Sequence, residues 1–175
     1  MKRGIVIGSL LAAVLIVGGC ASADEPTLLM VDPNVPEADL LAGALAIEQD
    51  QDAVLVPATR PSELDQMGTS GIADGAHGVY FRPKSTGVEV FALFDDQPVA
   101  TCADGHDDTG VLCVRNGRVG DRHVAIYFSA DGDAAAYTTA TVKKMRDFWA
   151  ATPLVAPSAA PWFTDLAARG HAAEI

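Results

Sequence analysis

"VYFRPKSTGVEVFALFDDQPVATCA", residues 79–103, decides the fold. Three short runs rich in β-branched and aromatic residues, 79–83, 88–94 and 99–103, alternate with "KSTG" and "DDQP". Such separators are too short to carry a crossover, so neighbouring strands must run antiparallel. "VEVFALF" (88–94) is apolar at both alternating sets of positions, which predicts a central strand covered on each side. Two further runs, "VLCVR" (111–115) and "HVAIYFS" (123–129), follow the turn-rich "DGHDDTG" and "NGRVGD". In the last run Val124, Ile126 and Phe128 share one face, and His123, Ala125 and Tyr127 the other.

Helical patterns lie on either side of this region. "NVPEADLLAGALAI" (34–47) predicts a helix capped by Asn34, with Glu37 three residues on and Leu40, Leu41, Ala44, Leu45 and Ile47 facing the core. "AVLVP" (53–57) is a short strand, "PSELDQMG" (61–68) a single helical turn, and "GTSGIADGAHG" (68–78) a loop. Residues 131–153 predict the clearest helix, with Thr138, Val142, Met145 and Trp149 on one stripe. Lys143, Lys144 and Arg146 fall off that stripe, as a solvated face or as the one patch suited to an anionic partner. After the Pro-rich "VAPSAAP" a last helix opens at Pro161 and stops before Gly170. Phe148-Trp149 and Trp162-Phe163 are expected to dock this helix onto the rest, with the lining of a small hydrophobic groove as the alternative. The predicted class is α+β: an antiparallel meander of about five strands with flanking helices. One domain spans 34–170, and 171–175 form a short tail.

The first twenty residues concern address. Lys2 and Arg3 precede an apolar run from Ile5 to Val17. At about 13 residues this run suits a signal peptide, since a bilayer-spanning helix needs about 20. It ends in Val17-Gly18-Gly19-Cys20, which resembles the lipobox of bacterial lipoproteins. The resemblance implies cleavage of residues 1–19 and a thioether-linked diacylglycerol on Cys20. The mature protein would then sit on the extracytoplasmic face of the cell membrane. An ordinary secretory signal and a retained single span are the alternatives. Residues 20–33 form a tether that reaches about 40 Å at most, at roughly 3.3 Å per residue. The alanine-rich, acidic chain behind a lipobox also resembles uncharacterised lipoproteins of high-GC Gram-positive bacteria, a resemblance that carries no activity.

The net charge of −11 would fall by two more with loss of Lys2 and Arg3. So acidic a chain lacks the basic surface that displaces counterions from nucleic acid. It is also repelled by anionic lipid, so attachment must come from the anchor. Outside the cytoplasm Cys102 and Cys113 are expected to form a disulfide between adjacent antiparallel strands. A loop of that size is worth about 3 kcal/mol in the chain-entropy model.

Chemistry-bearing patterns are sparse. Asp104, Asp107 and Asp108 crowd the tip between the two cysteines, with His106, and form a weak candidate cation site. They lack the alternating spacing of a calcium loop, so a solvated acidic turn is expected. His77, His106, His123 and His171 show no zinc spacing. His123 near Tyr127 is a candidate base, weighed against a half-buried structural role. Ser70 in "GTSGI" fails the nucleophile-elbow spacing, and no phosphate-loop glycine pattern or cofactor motif occurs. These readings predict a lipid-anchored binding or accessory domain that meets a protein partner at the cell surface. The alternatives are a small-ligand or ion-binding lipoprotein and, third, a hydrolase.

Overall fold

The computed structural model describes residues 30–71, 76–84, 86–98, 111–130 and 134–174. The expected strand at 99–103, the acidic tip and the segment before Met30 lie outside them. The chain is α+β. Its elements are α1 (Ala38–Gln49), β1 (Val56–Pro57), β2 (Leu64–Gly71), β3 (His77–Pro83), β4 (Glu89–Asp95), β5 (Leu112–Val119), β6 (Arg122–Ser129), α2 (Ala140–Ala151), β7 (Leu154–Val155) and α3 (Pro161–Ala172).

Five strands form one antiparallel sheet in the order β2-β3-β4-β6-β5. β4 is central, as its two apolar faces require. The meander breaks once, because β6 lies between β4 and β5. β5 runs through Asn116-Gly117-Arg118, and only Gly120-Asp121 turns, with Gly120 at φ 61°. A two-residue hairpin needs that left-handed backbone. The inner face carries Met67, Val79, Phe81, Val90, Ala92, Phe94, Val124, Ile126 and Phe128, all buried. On the outer face Tyr80, Phe91, Tyr127 and Cys113 stand in register across four strands. The Phe91 and Tyr127 rings stack there with centroids 5.2 Å apart.

The segment 61–68 is not a helical turn, because Leu64–Gly71 pairs with β3 as a strand, with a bulge between Leu64 and Gln66. A period of two was hidden there by Gly68, Thr69 and Ser70, which read as loop. Leu64 and Met67 are the buried apolar residues that anchor this strand to the core.

α1 begins four residues after Asn34. The Asn34 amide instead donates to Asp32 Oδ1 at 2.9 Å, closing a local turn. Glu37 then occupies the N-cap at φ 66°, with no side-chain cap. The five expected core residues of α1 are all buried. The helix is held on two sides at backbone distance. A Cβ on Gly43 would lie 1.7 Å from the Met67 carbonyl oxygen of β2. One on Gly170 would lie 2.9 Å from Leu45 Cγ. Gly170 thus sits inside α3, as the point where α3 crosses α1, rather than past its end.

The helix expected over 131–153 divides. A 3-10 turn, Ala134–Thr138, is pinned by Tyr137 Oη donating to the Phe128 carbonyl at 3.1 Å. Thr139 then caps α2 by accepting from the Val142 amide at 3.2 Å. Val142, Met145 and Trp149 are buried as the stripe predicts, while Thr138 is exposed. Trp149 packs on Phe81 with centroids 4.9 Å apart. The Pro-rich link supplies β7, which pairs with β1. Trp162 Nε1 donates to the Pro57 carbonyl at 2.8 Å, fixing the start of α3. The folded unit also outruns the expected limits of 34–170. Val31 is buried and bridges Glu174, and the Asp32 amide donates to the Ala173 carbonyl at 3.3 Å.

Candidate functional site

The segment from Thr59 to Leu64 leaves β1, bends at the buried Pro61 and enters β2. Glu63 makes the last bend at φ 57°, and its carbonyl accepts from the Lys84 amide at 2.7 Å. A non-glycine residue in that region is strained, and such strain persists only where surrounding contacts hold it. Between this bend, the end of β3 and the exposed edge of α2 lies a cleft of about 430 Å³.

Its apolar lining comes from Phe81, Met145, Phe148 and Trp149. Trp149 and Phe148 meet edge to face with centroids 5.6 Å apart. Hydroxyls of Thr59, Ser62, Thr86 and Thr141 lie around the rim with Arg60, Glu63 and Lys144. Trp149 is 1% exposed, and its indole N–H has no acceptor among the described residues. A buried donor left unpaired costs about 1–3 kcal/mol.

The cations of the rim are lightly engaged. Arg60 Nη2 lies 3.7 Å from Glu37 Oε1, but Arg169 already donates to Oε2 of that carboxylate at 2.8 Å. The hydrogen bond from Arg169 leads in holding Glu37 below the usual carboxylate range, with charge from Arg169 and Arg60 adding to it. Lys144 has no carboxylate within 4 Å among the described residues.

Other candidates are dispersed. Cys20, Cys102, Asp104, His106, Asp107 and Asp108 lie outside the described residues. Cys113 is half-buried on β5 opposite Tyr127. His123 stands between Asp95 and Arg118 in register, and Ser70 opposite Gly78. Burial raises the Tyr127 phenol pKa. His77 borders a second hollow of about 250 Å³ with Asp52, Asp95, Asp96 and Arg122. Exposed His171 touches Glu48 at 2.6 Å and Glu174 at 3.5 Å, and the Glu48 hydrogen bond leads in raising its pKa. Among the described residues no histidine ring bonds a hydroxyl or thiol, and no group of three His, Cys, Asp or Glu could hold a metal. No described helix is long and apolar enough to cross a membrane.

The apolar stripe predicts Trp149 in the core, where it lies, and Lys144 on a face that is either solvated or suited to an anionic partner. Sequence pattern misses Arg60, whose position depends on the Glu63 bend. Compared with protein-family models, with curated proteins and with solved structures, the chain matches none.

Proposed function

We propose that this chain is an extracytoplasmic binding lipoprotein whose domain takes a small ligand in the cleft beside α2. The cleft carries the reading: about 430 Å³, lined by Phe81, Met145, Phe148 and Trp149 with hydroxyl-bearing and charged residues beside them. Small-molecule sites occupy about 300–1,000 Å³ and combine an apolar lining with a few aimed polar groups. That combination favours a small ligand over the protein partner expected from composition.

The test follows the two indole signals by NMR. Ring-bearing fragments such as benzyl alcohol should move the Trp149 indole N–H and leave that of Trp162, which is committed to Pro57. A fragment set that moves neither, or moves both alike, would remove the cleft from consideration. The aromatic row of Tyr80, Phe91 and Tyr127 supports the second reading, a protein partner laid on the outer sheet face.

The anchor rests on the Val17-Gly18-Gly19-Cys20 pattern. A Cys102–Cys113 bridge rests on the even cysteine pair left to a protein outside the cytoplasm. Mass spectrometry of membrane-extracted protein tests both proposals. The expected product starts at Cys20, carries a diacylglyceryl group and yields a Cys102–Cys113 peptide without reductant. An intact Met1, or free thiol at Cys102, counts against the respective proposal.

A further inference from the structure

We infer that the ligand of this cleft is an apolar carboxylate, its acid group held by Arg60 and Lys144 and its body laid against the half-buried Phe148. The inference rests on the cleft being the binding site and adds the class of ligand.

The polarity of the lining points there. Across the chain acidic residues outnumber Lys and Arg by 23 to 12. In the cleft the balance inverts, with Arg60 and Lys144 against Glu63 alone. Lysine and arginine hydrogens only donate. Lys144 has no carboxylate partner among the described residues, and Arg60 shares one already taken by Arg169. The site therefore carries two lightly engaged cations against one carboxylate, and a ligand that brings a negative charge on oxygen acceptors completes it. Charge-assisted hydrogen bonds are roughly twice as strong as neutral ones. The aromatic lining requires that the rest of the ligand be apolar. Glu63, on the same segment as Arg60, disfavours a second negative charge, so a single acid group fits better than a polyanion.

Three probes with one body separate the possibilities: 3-phenylpropanoate, 3-phenylpropan-1-ol and 3-phenylpropylamine. Each is titrated into the folded domain while the Trp149 indole signal is followed. The acid should bind about tenfold more tightly than the alcohol, and the amine most weakly. K144Q and R60Q should each weaken the acid about fivefold and leave the alcohol unchanged. Both residues are exposed, so the variants keep the fold, and the unchanged alcohol affinity verifies it. Equal binding of acid and alcohol, indifferent to both variants, would overturn the anionic class while leaving the cleft as a site. Tightest binding by the amine would overturn it in favour of Glu63 as the recognition group. Failure of all three to move Trp149 would overturn the inference together with the cleft reading.

Discussion

Gly43→Ala should destabilise the domain by at least about 3 kcal/mol, near the upper end of the usual cost of overpacking. The added methyl would be 1.7 Å from the Met67 carbonyl oxygen and 2.6 Å from its carbon. Both are backbone atoms of a paired strand, so no rotamer change relieves the clash. α1 must lift off β2, and on its other side it is blocked by α3 at Gly170. Alanine is the better helix former by about 1 kcal/mol, which reduces the loss without cancelling it. Gly117→Ala is the matched control, since a Cβ there meets nothing within 4 Å. Urea melts of the two variants should differ sharply in midpoint. A Gly43→Ala midpoint equal to that of Gly117→Ala would mean that α1 does not touch β2 at this point.

Trp149 provides the second large effect, and the two substitutions there separate packing from hydrogen bonding. Trp149→Ala removes a fully buried ring from its contact with Phe81 and should cost about 3–5 kcal/mol. Trp149→Phe keeps an aromatic ring against Phe81 and deletes a buried donor that has no acceptor. Loss of volume and loss of the unpaired N–H act in opposite directions, and the net cost should be below about 1.5 kcal/mol. Chemical denaturation measures both. A Phe variant as unstable as the Ala variant would show that the indole N–H is bonded in solution.

The sheet was legible where side chains alternate strongly. β3, β4 and β6 bury one alternating set, such as Val79 and Phe81, Val90, Ala92 and Phe94, and Val124, Ile126 and Phe128, while β4 and β6 also bury Leu93 and Ala125 on the other face. β2 was illegible because Gly68-Thr69-Ser70 have turn chemistry, and pairing with β3 overrides local preference. The α1 core face was legible from spacing, and its start was not. Asn34 has two uses, a cap or a local turn with Asp32, and only the placement of Glu37 against Arg169 decides between them. The cleft was the least legible part. Arg60 and Lys144 are 84 positions apart and become neighbours of one cavity only because Glu63 bends the chain back under α2. No local pattern records a bend of that kind in a glutamate.

The pairing of β1 with β7, of α1 with α3 and of Val31 with Glu174 bears on the order in which the domain can form. In each case one of the first parts of the fold closes on one of the last. Contacts of such wide sequence separation are slow to make, because a long loop must be ordered before they repay it. While residues 154–174 are still emerging, α1 has one apolar side without a partner and β1 has no strand to pair with. The chain thus stays open until its final helix is available. If the chain is exported as we propose, that delay, which follows from topology, keeps it unfolded for the passage.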